Sequence, residues 1–190
     1  MSAQNHDLIG QLLNDHKQVE ERFARFDSSD RSGWSRMFSE LTGLLVQHEV
    51  AEEEILFPEV RRALPDGDRL ADERIHEQSE AEELLKKMER TGADDESFSG
   101  MLTKLRGSVL EHAQKEEDTV FSPLGEALGR DRLNQLGDQY EKAKSLAPTH
   151  PHPEAPDTPP GNLAANPLAA VIDRFRDAVR RSSHSTTAHD

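Results

Sequence analysis

Apolar residues recur at steps of three and four positions in four long segments of this chain, with short polar breaks between them. The segments cover about residues 5–26, 34–63, 69–91 and 98–128. Steps of three and four place side chains on one face of an α-helix, so each segment is predicted to form an amphipathic helix. Four long helices with short connections predict an all-α fold, an antiparallel up-down-up-down four-helix bundle.

The pattern changes after the fourth segment. A shorter fifth helix is predicted over about residues 131–146, and it carries the only tyrosine, Tyr140. Residues 147–166 are rich in proline and predict an extended linker. Residues 167–190 predict a C-terminal amphipathic helix followed by a disordered tail. We therefore expect the bundle and its extra helix to form one domain over residues 1–146.

Polar residues enter the apolar stripes of the second and fourth helices at equivalent places. The segments HEVAEEEILFP, from His48, and HAQKEEDTVFSP, from His112, share a His, a Glu four residues later, a second Glu, a Phe nine residues after the His and a Pro just beyond. Residues four apart lie on the same helix face, so His48 points the same way as Glu52, and His112 the same way as Glu116. Two helices that each present an imidazole and a carboxylate inward predict a dinuclear metal site.

The first and third helices are expected to supply further ligands. His16 lies in the middle of the apolar stripe of the first helix. His76 is the only histidine of the third helix and is included among the predicted ligands, although it lies more than about 100° from the stripe that contains Ala81 and Leu85. Gln78 is the polar residue on that stripe, so the identity of the third-helix ligand stays open between His76 and Gln78.

The predicted ligands indicate which metal the site would hold. Glu52 and Glu116 are the expected bridges between two metal ions, with the histidines as terminal ligands. Bridging carboxylates with imidazoles suit two non-haem iron ions, and manganese and zinc are the alternatives. The chain has no cysteine, which excludes iron–sulfur clusters, zinc–thiolate sites and disulfides.

The amino-acid composition restricts the binding partners and the cellular location expected for the protein. The net charge is −14, which opposes binding to nucleic acid. No basic and apolar leader is visible at the start, and no apolar run approaches the ~20 residues of a membrane span. We therefore expect a cytoplasmic protein with no nucleic-acid partner.

The segments NDHKQVEERF, HEVAEEEILFP and HAQKEEDTVFSP resemble the hemerythrin-like cation-binding domains, also called HHE domains, over about residues 6–128. The later helix, linker and C-terminal helix resemble a bacterial extension of that group. The resemblance implies a four-helix bundle with a non-haem di-iron centre that binds oxygen or related small molecules. The residues that match its motif are His16, His48, Glu52, His112 and Glu116.

One departure from the family pattern bears on function. Oxygen-carrying hemerythrins have a His-x-x-x-His pair on the third helix, whereas this chain offers His76 with Glu80 or Gln78 with Glu82. Fewer imidazoles and more anionic ligands favour ferric iron, which disfavours reversible oxygen carriage.

Three functions follow as hypotheses. The first is a di-iron protein that binds oxygen, peroxide or nitric oxide in oxidative or nitrosative stress, with peroxide-consuming enzyme activity left open. The second is an iron or oxygen sensor or binding module that acts as a homodimer or through a protein partner, using the C-terminal helix. The third is a structural bundle whose metal site has decayed.

Overall fold

The computed structural model of the chain describes residues 6–147. The predicted linker, C-terminal helix and tail lie outside the described residues, so those predictions and the domain boundary at residue 146 stay predictions. No helix in the described part is both long and apolar enough to span a membrane.

The described chain is almost entirely helical and confirms the predicted all-α bundle. Two π-helical turns, Glu52–Leu56 and Glu117–Phe121, join α2 to α3 and α5 to α6, so each pair forms one long rod. The second and fourth predicted helices are these two rods. The α-helices are α1 (Leu8–Asp27), α2 (Trp34–Ala51), α3 (Phe57–Ala63), α4 (Gly67–Thr91), α5 (Phe98–Glu116), α6 (Ser122–Leu128) and α7 (Arg130–Leu146).

Local sequence signals set the ends of these helices. The side chain of Asp7 accepts a hydrogen bond from the backbone N–H of Gly10 and caps the start of α1. Gly92 and Gly129 follow α4 and α6 with φ of 79° and 71°, a backbone conformation that favours glycine. Gly129 therefore marks the end of α6.

The two π-helical turns explain why the repeat contains a Phe nine residues after its His. In an ideal α-helix nine residues rotate a side chain by about 180° from its starting direction, so Phe57 would point away from the face of His48. A π-turn contains more residues per turn and changes that phase. Phe57 and Phe121 are both buried. Pro58 and Pro123 follow the π-turns, where a missing N–H is accommodated by the wider hydrogen-bonding pattern.

The buried apolar residues form two clusters with a polar layer between them. One cluster contains Val19, Leu45, Ala81 and Val109 and continues toward the α4–α5 connection. The other contains residues on the opposite side of the polar layer in each helix, namely Leu12, Ala51, Ala71 and Val120, together with much of α7. The polar residues of each helix lie in sequence between its contributions to the two clusters, so the bundle encloses them.

Helix α7 packs against α1 and α2, and it contributes to the core. Gly137 permits this packing, because a Cβ atom there would come within 2.3 Å of the backbone oxygen of His6. One turn later, Tyr140 is fully buried with 0% exposure. The fifth helix therefore brings a polar side chain to the edge of the polar layer.

Candidate metal centre

Four buried side chains converge in the polar layer from α1 and from the two long rods. His16 comes from α1, His48 from α2, Glu52 from the first π-turn and Glu116 from the end of α5. Each offers a ligand atom, and these atoms all lie within 4.8 Å of one another. The closest approaches are 3.1 Å from His48 Nε2 to Glu52 Oε1 and 3.3 Å from His16 Nε2 to Glu116 Oε2. Two imidazoles and two carboxylates are a ligand set suited to iron.

His112 lies beside this cluster rather than inside its tightest part. Its Nε2 atom is 3.5 Å from Glu116 Oε1, and the residue is 9% exposed. Glu116 therefore has one oxygen directed toward His16 and the other toward His112. The structure brings together five of the six residues that the sequence predicts as ligands.

His76 is the exception, and its inclusion among the ligands is corrected by the structure. Its side chain is 76% exposed and lies 3.8 Å from Glu80 on the outer face of α4. Gln78 is buried, and its Nε2 atom donates a hydrogen bond of 2.6 Å to Glu52 Oε2. The physical reason is that α4 buries Ala81 and Leu85, which fixes its rotation and turns Gln78 inward.

A hydrogen-bonded chain fixes the tautomer of His48. The Tyr140 hydroxyl donates its proton to Asp15 Oδ2 at 2.8 Å, and Lys144 Nζ donates to both Asp15 oxygens at 2.7 Å. The Tyr140 oxygen lies 2.8 Å from His48 Nδ1. Because its own proton is committed to Asp15, the hydroxyl oxygen accepts from Nδ1–H. The lone pair of His48 then lies on Nε2, which faces Glu52.

The other two imidazoles have the same arrangement. His112 Nδ1 lies 2.9 Å from Glu77 Oε2, and His16 Nδ1 lies 2.8 Å from Glu117 Oε1. A carboxylate only accepts, so each Nδ1 is the donor. In the neutral imidazoles, both Nε2 atoms therefore present lone pairs toward Glu116. Metal-bound histidines in proteins are characteristically held in this way by an acceptor on their other nitrogen.

These contacts stabilise the ionised forms of the Asp15 and Glu77 carboxyl groups. Burial alone would raise the pKa of Asp15, but hydrogen bonds and charge attraction from His48 and Lys144 outweigh it and lower the pKa to about 2. Burial also opposes ionisation of Glu77, but the hydrogen bonds from His112 and Lys115 lower its pKa to about 2. Both groups are therefore carboxylates at neutral pH and act as acceptors.

The pKa values of the two central glutamates shift in opposite directions, although both side chains are fully buried. Burial and the charge of Glu116 raise the pKa of Glu52 well above its ordinary value. For Glu116 burial has the same tendency, but the positive charges that His112 and His16 carry when protonated outweigh it and lower the pKa. Without a cation, the pair is therefore expected to hold one proton on Glu52, since two close buried carboxylates repel each other.

Several buried polar atoms at the centre have no hydrogen-bond partner among residues 6–147. They are His16 Nε2, His112 Nε2, Glu52 Oε1, Gln78 Oε1 and both side-chain oxygens of Glu116. A buried polar atom left without a partner costs about 1–3 kcal/mol, more if it is charged. All six can donate a lone pair, and a metal cation would satisfy them together. The residues present therefore fit a metal ion.

A small cavity of about 30 Å³ adjoins the cluster. Its polar lining comes from His16, His48, Glu49, Gln78 and His112. Its apolar lining comes from Val19, Leu45, Ala81, Val109, Leu110 and Ala113, with Ser108 at its margin. The cavity has room for a metal ion or a water-sized group.

Sequence reasoning missed the residues that hold the imidazoles from outside, namely Asp15, Glu77, Glu117 and Tyr140. A positional signal was available for two of them, because Asp15 directly precedes His16 and Glu77 directly precedes Gln78. Glu117 was visible as the second Glu of the repeat. Nothing in the sequence tied Tyr140 to His48, which lies 92 residues away.

Comparison with known proteins places this geometry in a family. The model of the hemerythrin HHE cation-binding domain matches residues 5–124, which is more than half of the chain. The chain therefore belongs to the hemerythrin HHE cation-binding family. The family binds cations, and the buried cluster that contains His16, His48, Glu52 and Glu116 could hold the ion. Helix α7, which supplies Tyr140, lies beyond the matched residues.

Two curated relatives extend the comparison. An uncharacterized hemerythrin-like protein of Schizosaccharomyces pombe is 27% identical over 172 residues, covering 90% of this chain and 85% of that protein. A DNA nickase of Nostoc is 30% identical over 132 residues, covering 69% of this chain but only 37% of the nickase. No solved structure matches the chain.

Proposed function

We propose that this chain is a non-haem di-iron protein that binds oxygen or a related small molecule, peroxide or nitric oxide, in the response to oxidative or nitrosative stress. His16, His48, Glu52, His112 and Glu116 are the proposed iron ligands. The observation that supports this most is the common orientation of the three imidazoles. Each has its Nδ1 held by an acceptor outside the cluster and its Nε2 directed at a buried glutamate.

The donor set supports iron among the candidate metals. Carboxylates and imidazoles without thiolates are typical ligands of non-haem iron, and paired carboxylates can bridge two ions. Bound iron would supply redox chemistry and an open position for a small ligand. The protein contributes ligand orientation through Tyr140, Glu77 and Glu117, and it neutralises charge because a cation would displace the proton expected on Glu52.

Burial supports a small substrate. Glu52 and Glu116 are 0% exposed, and His48 is 4% exposed. A large organic substrate could not reach these atoms without separating the helices. Oxygen, peroxide and nitric oxide have few atoms and can enter through small fluctuations of the packing. Peroxide turnover is therefore the activity to test first, within the proposed cytoplasmic setting.

A sensor or binding module acting through a partner is the second candidate, motivated by the predicted amphipathic helix within residues 167–190. Absence of turnover by an iron-loaded protein would favour it. The nickase activity named for the Nostoc relative is not part of the proposal. The shared segment is 37% of that protein, and a net charge of −14 opposes contact with DNA phosphates.

Removal of a central glutamate tests the proposed centre. Purified protein is expected to bind close to two iron ions and to show charge-transfer absorption in the near ultraviolet. Glu52→Ala and Glu116→Ala should each lose most of the iron, measured by elemental analysis after desalting, because each removes a shared ligand. Circular dichroism checks that the helices persist. Full iron content in both variants would show that the assignment is wrong.

A further inference from the structure

The four-ligand cluster accounts for one ion, whereas a di-iron centre needs a second complete set of ligands. His16, His48, Glu52 and Glu116 converge within 4.8 Å, and His112 is not among them. His112 lines the adjoining cavity together with Gln78 and Glu49, and His16 and His48 of the cluster line it from the other half of the bundle. The question is which residues would complete the position next to His112.

The internal repeat identifies the missing ligand. The second half of the bundle presents Gln78, His112 and Glu116 where the first half presents His16, His48 and Glu52. Gln78 and His16 are each a buried polar residue of a helix, and each is preceded by an acidic residue that supports a histidine of the centre. The second half therefore has an amide oxygen in place of an imidazole, and an amide oxygen is the weaker iron ligand of the two.

Glu49 is placed to compensate for this weaker ligand. It directly follows His48, is 4% exposed and lines the cavity together with Gln78 and His112. Its equivalent in the second repeat is Ala113, which lines the same cavity and contributes no ligand atom. Glu49 is therefore a departure from the repeat, and it adds a carboxylate to the part of the site where an imidazole is absent.

Four residues that line this cavity have a buried atom without a hydrogen-bond partner in the described chain. His16 Nε2 belongs to the first cluster, and the other three atoms are Glu49 Oε2, Gln78 Oε1 and His112 Nε2. A carboxylate, an amide oxygen and an imidazole nitrogen can all bind the same cation. We propose that the cavity holds the second metal ion, bound by His112, Gln78 and Glu49 and sharing Glu116 with the first ion. This inference rests on the proposed function and adds Glu49 and Gln78 to its ligands.

The two positions differ in a way that predicts two binding steps. The first position has two imidazoles that already lie beside both central carboxylates. The second has one imidazole and a weak amide ligand. We expect the first ion to bind more tightly than the second, and removal of Glu49 to affect only the second.

Titration of chelator-treated protein with Co²⁺ under anaerobic conditions tests this. Calorimetry gives the two dissociation constants, elemental analysis gives the stoichiometry, and cobalt absorption reports each position. The wild-type protein is expected to bind two equivalents in separate steps. Glu49→Leu, which replaces the carboxylate by an apolar group of similar size, should weaken the second step at least about tenfold and leave the first unchanged.

Glu83→Leu is the control, because it removes the same charge outside the site. The Glu83 side chain lies on α4, is 65% exposed and is not among the residues lining the cavity. This variant should keep both steps. Glu49→Gln retains a neutral oxygen and should bind the second ion more tightly than Glu49→Leu. The unchanged first step in each variant also shows that the bundle is folded.

The outcomes separate this inference from the proposed function. A single equivalent in the wild-type protein, or an unchanged second step in Glu49→Leu, overturns the second position while the first cluster stands as a metal site. Weakening of the second step in Glu83→Leu to the same degree as in Glu49→Leu would also overturn it, because a general charge effect would then explain both. No cobalt or iron binding to the wild-type protein would overturn the proposed function itself.

Discussion

The two halves of the candidate metal centre follow one pattern but differ in how the histidine of each His-x-x-x-Glu repeat, His48 or His112, is held. In the half formed by α1 and α2, His48 is supported by Tyr140 and Asp15, which are 0% and 1% exposed. In the half formed by α4 and α5, His112 is supported by Glu77, whose side chain is 22% exposed. Glu77 in turn contacts Lys115, which is 40% exposed. One imidazole is therefore supported from the core and the other from the edge of the bundle.

This difference shows where the bundle is preorganised. A buried chain of hydrogen bonds can relax little, because its members have no water to replace a lost partner. An edge carboxylate can exchange partners with water at small cost. The half backed by α7 should therefore hold its imidazole more rigidly and bind its ion more tightly. The helix outside the family-matched residues thus contributes directly to the centre.

Removing the histidine of either half should have the largest effect on metal binding, and the effect should differ between the two halves. His48→Ala deletes a ligand of the four-residue cluster and is expected to lose the tight step of metal binding. His112→Ala should lose the weak step and retain about one equivalent, because the first cluster keeps all its members. Stoichiometry after desalting measures both. Equal losses in the two variants would mean that the two ions bind as a single unit.

The supporting residues should give the next largest effect. Tyr140→Phe keeps the ring but removes the hydroxyl between His48 and Asp15. We expect metal affinity to fall by about 10–100-fold, the usual cost of losing a hydrogen-bonding partner of a metal ligand. Glu77→Gln is the matched change on the other side and should cost less, because Glu77 is partly exposed.

Dissociation constants and the absorption spectrum of the cobalt form measure this comparison. A purely structural role for Tyr140 would lower thermal stability without changing the spectrum. A larger effect from Glu77→Gln than from Tyr140→Phe would contradict the view that the half backed by α7 is the better organised.

Lowering the pH should reveal how much Asp15, which supports His48 through Tyr140, stabilises the folded protein. Its folded pKa is lowered from an ordinary 3.8 to about 2. A lowered carboxyl pKa stabilises the folded state above the unfolded value, and this stabilisation is lost as the pH falls from about 4 toward 2. The shift corresponds to about 2 kcal/mol. Urea unfolding of the metal-free protein should show this loss, and Asp15→Asn should flatten the slope in that window. An unchanged slope would show that Asp15 is not stabilised as its contacts indicate.

His76→Ala should have the smallest effect. The side chain is 76% exposed and lies 3.8 Å from the exposed Glu80 side chain. The free energy of unfolding should change by less than about 0.5 kcal/mol, and iron content and spectrum should not change. Gln78→Ala is the paired variant and should alter the spectrum, since Gln78 contacts Glu52. The opposite result would require α4 to rotate in the metal-bound protein.

The sequence by itself determined the helices and most of the residues of the buried cluster. The three- and four-residue steps of apolar residues are a local property, so they predicted the elements and the bundle. The repeated His-x-x-x-Glu spacing fixed two ligands on one face of each helix, whatever the tertiary structure. The same periodicity placed Gln78 on the stripe of α4 and His76 off it. Including His76 gave residue type priority over helical phase, and the structure corrects that choice.

Only the tertiary structure decided which side chains support those ligands. Tyr140 and Asp15 are 125 residues apart, and they meet because Gly137 lets α7 approach the start of α1. The role of Glu49 beside His112 likewise depends on a cavity between helices. Local sequence constrains the direction of a side chain relative to its own helix. Which partner it meets depends on the packing of several helices against one another, and that packing balances contacts distant in sequence.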